Sequence, residues 1–168
     1  MHITVDKVKA AVLGYCRYSM QCPLVALEAN CRLQSFNYGG QADVLAVTKN
    51  RLLVETEVKL NLADLRRDRN KAKHKAFREG ARIYPTARFY FAVPKDIANS
   101  VCLVCDQLYP YAGVLGVDGL SEQDVTLYRE AKLLSGRKLS WEQLYRMTRE
   151  QSATICRLAR ASIGRLPE

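Results

Sequence analysis

The segment Arg88-Phe89-Tyr90-Phe91-Ala92-Val93-Pro94 constrains the fold of this chain more than any other. Its apolar residues are consecutive rather than alternating, so both faces of a strand built from them need cover. Runs of this kind belong in the centre of a sheet with helices on both sides. Pro94 lacks an amide hydrogen and ends the strand. The remaining sequence must therefore supply partner strands and covering helices.

Both are legible. Ala42-Asp43-Val44-Leu45-Ala46-Val47-Thr48 and Leu52-Leu53-Val54-Glu55-Thr56-Glu57-Val58-Lys59 read as two strands joined by Lys49-Asn50-Arg51, a hairpin. Leu24 to Leu33 reads as a further strand with Glu28 in its middle, followed by the turn residues Asn37-Tyr38-Gly39-Gly40. Tyr111–Val117 and Val125–Arg129 complete the set. Thr4 or Asp6 can cap a first helix running to about Tyr18, which Cys22-Pro23 follows. Asn61 or Asn70 can start helical turns between Leu62 and Gly80, and another helix is expected from Asp96 to Leu108. Finally, Trp141, Leu144, Tyr145, Thr148, Ser152, Ile155, Cys156, Ala159 and Ile163 recur at three- and four-residue steps, the core stripe of a long amphipathic helix. The order predicts an α/β fold, a mixed central sheet flanked by helices.

The length of 168 residues suits one domain spanning 1–168, with no linker-like or repeated segment. No apolar run approaches the roughly 20 residues that span a bilayer. The first residues lack the basic-then-apolar pattern of a signal peptide, so a cytoplasmic protein is expected. Its six cysteines then read as reduced thiols. Cys102-x-x-Cys105, with Cys156 downstream, has the spacing of a metal pair, but it also equals one turn of an apolar helix face.

The net charge of +9 points to a polyanionic partner. Arg66, Arg67, Arg69, Lys71, Lys73 and Lys75 cluster directly after the hairpin, and Arg146, Arg149, Arg157, Arg160 and Arg165 form a second group. Two basic faces of one sign suggest phosphate contacts.

The hairpin register carries the chemistry. Pairing symmetric about Asn50 sets Asp43 opposite Glu57 and Gln41 opposite Lys59, and directly paired residues share a face with Cβ atoms roughly 5 Å apart. Two carboxylates so placed repel unless a cation lies between them, and hard oxygen ligands suit Mg²⁺ or Mn²⁺. Lys59 beside such an ion can orient the attacking water or neutralise charge on the phosphorane. The plainer alternative is a solvated outer face on which Asp, Glu and Lys alternate with apolar residues. Glu55, one step further along, reads as peripheral, and His74 as part of a solvated helix face. Tyr84, Tyr109 and Tyr111 read as core.

Asp43 followed by Glu57-Val58-Lys59 resembles the signature of the PD-(D/E)XK nuclease superfamily, with Ala42 where the motif has proline. From about Leu27 to Ala161 the chain is similar to the MmcB-like family of bacterial DNA-repair endonucleases. That similarity runs through Ala42–Ala46, Val54–Lys59, Ala63–Arg69, Phe89–Pro94, Ala112–Val117 and Arg129–Ala131. The resemblance implies a restriction-endonuclease-like fold that hydrolyses DNA with Mg²⁺ or Mn²⁺. Asp43, Glu57 and Val58 would be the metal ligands, Lys59 the catalytic lysine and Glu28 a further acidic group. DNA is the implied partner, with RNA or a second copy of the chain as further candidates. Leu60-Asn61 replaces the small hydroxyl residue usual after the lysine, and Lys71-Ala72-Lys73-His74-Lys75 departs from the family pattern. Two other readings stand beside it: a catalytically silent nuclease fold that binds nucleic acid, and a subunit that docks an acidic protein.

Overall fold

A computed structural model describes residues 3–28, 41–80 and 84–163. Six strands form one mixed sheet in sequence order: β1 (Leu24–Leu27), β2 (Val44–Val47), β3 (Leu53–Val58), β4 (Thr86–Pro94), β5 (Gly113–Val117) and β6 (Val125–Arg129). The apolar run is β4, near the sheet centre, and only Arg88 along it is more than marginally exposed. Pairs β1–β2, β2–β3 and β5–β6 are antiparallel, whereas β3–β4 and β4–β5 are parallel. Parallel neighbours need crossover connections. The helices α2 (Leu62–Arg67) and α3 (Ala72–Arg78) make the first, and α4 (Ala98–Leu108) the second.

The three-residue hairpin loop is as expected. The Thr48 amide donates to the Leu52 carbonyl at 3.0 Å, and Arg51 closes the loop with a left-handed φ of 62°. Helix α1 (Val5–Gly14) is capped by the Thr4 side chain and continues as a π-helical turn over Tyr15–Ser19. Asn61 caps α2, and Gly80, at φ 67°, follows the end of α3. A 3₁₀ turn, Asp68–Asn70, separates α2 from α3.

Alternation sorts the sheet into two faces. Val44, Ala46, Val54, Val58, Tyr90 and Leu115 pack under α1 with Val8 and Val12. On the other face, Phe89, Phe91 and Val93 pack against α2, α3 and α4, while Leu45, Val47 and Leu53 meet Leu139 and Met147. Met147 belongs to α5 (Trp141–Ile163), which thus starts on the same face as α2 and α3.

Two sequence expectations need correction. Strand β1 stops at Leu27, and Glu28 takes a left-handed φ of 48° rather than continuing the strand; Ala29 to Leu33 and the Asn37–Gly40 turn lie outside the described residues. Most of the α5 stripe is not core: Trp141, Tyr145 and Ile155 are exposed, as is Cys156, while Leu144 of the stripe is partly buried and Met147, outside it, is fully buried. Periodicity reveals that a helix has an apolar side, but not whether the fold supplies anything to cover it. Among the described residues, no helix is long and apolar enough to cross a membrane.

Candidate functional site

Strand β3 carries two opposite chemistries. Its α1 face is Val54, Thr56 and Val58; its other face is Leu53, Glu55 and Glu57. Glu55 and Glu57 lie beside Phe89 and Phe91 of β4 and are only 2% and 5% exposed. Buried carboxylates demand cations or hydrogen-bond donors. Lys73 of α3 supplies an ammonium to both: its Nζ lies 2.8 Å from Glu55 Oε1 and also bonds Glu57 Oε1. Thr86 donates to the other oxygen of Glu55 at 2.8 Å. Burial alone would lower the lysine pKa, but the two carboxylates override it and hold the ammonium above its ordinary value.

Lys59 emerges just past the end of β3, its amide bonded to Ala92 of β4. Its Nζ lies 2.8 Å from Asp68 Oδ2 and 3.6 Å from Glu57 Oε2. Asp68 also takes Lys71 at 3.0 Å. Burial alone would raise the Asp68 carboxyl, yet the Lys59 and Lys71 ammoniums on it hold it well below the usual carboxylate range. His74 Nε2 is 3.8 Å from Asp68 Oδ2, too long for a hydrogen bond, and has no hydrogen-bond partner among the described residues; its Nδ1 pairs with the Tyr111 hydroxyl at 2.7 Å. The imidazole is fully buried among Phe89, Phe91, Tyr109 and Tyr111, and desolvation lowers its pKa, favouring the neutral ring.

The hairpin ladder ends at the pair Val44–Thr56, and Asp43 stands in a bend just before β2, next to the end of β3. The Asp43 and Glu57 carboxylates have separate partners. Asp43 Oδ2 accepts from the Val58 amide at 2.8 Å, beyond the start of β2, and Oδ1 lies 3.1 Å from Lys9 of α1. Lys9 also reaches Glu28 Oε1 at 2.9 Å, which links Glu28 to Asp43 through one ammonium. The Gln41 side chain donates to the Glu28 carbonyl at 2.7 Å. The C-terminal end of β3 thus stands between two ion-pair groups, Asp43 and Glu28 on Lys9 of α1, and Glu57 and Lys59 with Asp68 and Lys73.

The basic segment divides. Arg66, Arg69 and Lys75 are exposed, and Arg67 is exposed while paired with Asp64 at 2.9 Å. Lys71 is half-exposed on Asp68. Lys73, expected among the phosphate contacts, is turned inward, with a side chain only 11% exposed. His74, expected on a solvated face, is core, and Glu55 is integral to the network rather than peripheral. Both reversals follow from one rotation: the α3 side that carries Lys73, His74 and Phe77 faces the sheet. Asp68 was missed because an acid within a basic run looks like ordinary charge balance; its three-residue spacing to Lys71 was the available signal.

The cysteine pair has a plainer setting. Cys105 is buried in α4, its thiol pushed up to about 12 by burial, and Cys102 stands beside it in the same helix. Among the described residues, no three histidine, cysteine, aspartate or glutamate side chains gather as a metal cage.

No family model matches the chain, and no curated protein does. Among solved structures, a Silicibacter pomeroyi protein of unknown function matches with a TM-score of 0.59 and 17% identity, over 96% of this chain and 92% of that one. That likeness supports the fold alone.

Proposed function

We propose that the chain is a Mg²⁺- or Mn²⁺-dependent nuclease of PD-(D/E)XK type, related to the MmcB-like endonucleases, that hydrolyses DNA phosphodiester bonds in a cytoplasmic setting. The observation that carries this reading is the hairpin register. Beyond its last pair, Val44–Thr56, Asp43 accepts from the Val58 amide, next to Glu57 and Lys59 in sequence. Exposed Arg66, Arg69 and Lys75 follow in sequence, and α5, with its exposed Arg146 and Arg149, starts on the Glu57 face of the sheet. A polyanion would meet cations on both sides of such a site.

Two carboxylates and the Val58 peptide carbonyl are hard oxygen donors of the kind a divalent ion takes, each carboxylate now neutralised by its own lysine, Asp43 by Lys9 and Glu57 by Lys73. Such an ion would supply Lewis acidity toward the scissile phosphate. Within the protein, Glu57 and Asp68 hold Lys59 by its Nζ, so its position is set before any water or phosphate arrives. Glu28 is an outer member whose side chain is tied to Asp43 through Lys9.

A panel of labelled single-stranded, duplex and branched DNA and RNA substrates in Mg²⁺, Mn²⁺ and Ca²⁺ tests the reading. Asp43→Ala, Glu57→Ala and Lys59→Ala should each abolish cleavage while DNA binding persists, with folding checked by circular dichroism. Folded variants that cut at the wild-type rate would refute the assignment. A second reading, a nucleic-acid-binding protein without cleavage, draws on the lysine partners of every site carboxylate; salt-dependent DNA binding without cutting by the wild-type chain would select it.

A further inference from the structure

On the opposite face of β3 from Glu57, the apolar row Val54–Thr56–Val58 contains one hydroxyl. Thr56 is 1% exposed, and its Oγ1 has no hydrogen-bond partner among the described residues, although a valine would fill the same volume. Unmade hydrogen bonds of buried groups are costly, so a hydroxyl retained there calls for an explanation. Thr56 lines a cavity of about 280 Å³. The cavity wall includes Tyr15 and Cys16 of the π-helical turn and Met20 just after it. Such turns are frequent at functional sites, and a methionine thioether adapts to variable contents. Val54, Leu115 and Leu127 make the apolar walls.

Two fixed donors and one exposed acceptor complete the lining. Tyr90, 4% exposed, donates to Glu130 Oε1 at 2.7 Å, and Arg88 Nη1 reaches the same oxygen at 2.9 Å while also bonding the Ala131 carbonyl. The Tyr90 ring lies over Gly113, where a Cβ would come within 2.3 Å of it, so the glycine sets the tyrosine's position. Burial and the neighbouring Glu130 raise the Tyr90 hydroxyl above its ordinary pKa and keep it a donor. The acceptor is different: the Glu130 side chain, though bonded to both donors, is 59% exposed, so water can solvate it if a competing carboxylate takes its place.

We propose that this cavity binds a small carboxylic acid with a short apolar tail, whose carboxylate replaces Glu130 on Arg88 and Tyr90. The tail would occupy the space among Met20, Val54, Leu115 and Leu127, and Thr56 would serve a second polar atom close to the carboxylate. This size and lining, apolar walls with few convergent polar groups, suit a small metabolite rather than a polymer. The proposal is independent of the nuclease reading, since it uses none of the same residues.

The test is an NMR titration of the full chain, following methyl resonances of Met20, Thr56 and Leu115 with hexanoate, 2-oxohexanoate, hexanol and hexylamine. Both acids should give saturable shifts at millimolar concentration, with 2-oxohexanoate binding several-fold more tightly; the alcohol and the amine should not saturate. Arg88→Met should weaken acid binding at least tenfold, and Thr56→Val should erase the preference for the oxo acid. Thr56→Val keeps the side-chain volume, so loss of preference in a folded variant reads the hydroxyl itself. Saturation by hexylamine, acid binding unchanged in Arg88→Met, or no saturable shift with either acid would overturn the proposal, the last leaving internal water as the cavity's content.

Discussion

The two faces of β3 are buried alike and built from opposite materials. Val54, Thr56 and Val58 are no more than 7% exposed, and so are Glu55 and Glu57. Under α1 the burial is mainly hydrophobic, proportional to apolar area and forgiving of exchange. Under α3 it is ionic. Each carboxylate removed from water costs several kcal/mol unless matched, so the lysine partners offset a penalty rather than add a surplus. Stability on the first face should respond to volume, whereas on the second it should respond to the loss of either partner.

The largest effect is expected where that match is broken. Lys73→Ala leaves Glu55 and Glu57 buried without their shared ammonium, and should cost about 3–5 kcal/mol in urea unfolding. Adding Glu55→Gln and Glu57→Gln to it should recover much of that loss, the mark of non-additive partners. A cost under about 1 kcal/mol for Lys73→Ala alone would make the pair an ordinary surface ion pair. On the apolar face, Leu115→Ala should cost about 2–5 kcal/mol, with no dependence on pH between 5 and 8.

Asp68→Asn comes next, read on cleavage rather than stability. On the proposed nuclease reading, it removes the carboxylate that holds Lys59 and should lower the cleavage rate about 100-fold, with DNA affinity retained and Asp68→Glu recovering part of the rate. Equal loss in the Asn and Glu variants would point to misfolding instead of a misplaced lysine.

A smaller effect is expected from His74, whose imidazole faces Asp68, Lys73, Glu57 and Tyr111. Its folded pKa is lowered by desolvation. The stability this contributes is therefore complete above the unfolded value of about 6.5 and falls as pH drops from there toward the folded value, by up to about 1.4 kcal/mol per unit. Melting curves between pH 7 and 5 should show that slope, and His74→Gln should flatten it. The smallest change belongs to Thr56→Val, expected within about 1 kcal/mol of wild type because an unpaired hydroxyl gives way to an isosteric methyl.

Local rules made much of the frame readable. The hairpin register followed from a three-residue loop, the helix starts from Thr4 and Asn61, and the central strand from an apolar run ended by proline. What local rules missed was the direction of side chains on short helices. Ala72–Arg78 has cations on every side, and only packing against Phe89 decides that Lys73 and His74 turn inward while Lys75 turns out. Glu28 escaped for a related reason: the strand ends where the chain turns at positive φ, and neither residue type nor alternation announces it. The α5 stripe shows the converse, a strong pattern that its own fold leaves uncovered.

The single ammonium shared by Glu55 and Glu57 has a thermodynamic consequence. Any cation that takes its place releases Lys73, and a released lysine is available to an anion. An anion that draws Lys73 away likewise leaves two carboxylates seeking a cation. Affinity for the two kinds of ligand is then reciprocal: whatever factor one gains from the other's presence is returned in full. A side chain counted first among the outward contacts would thus act as an exchangeable counter-ion, coupling two ligands that need never touch.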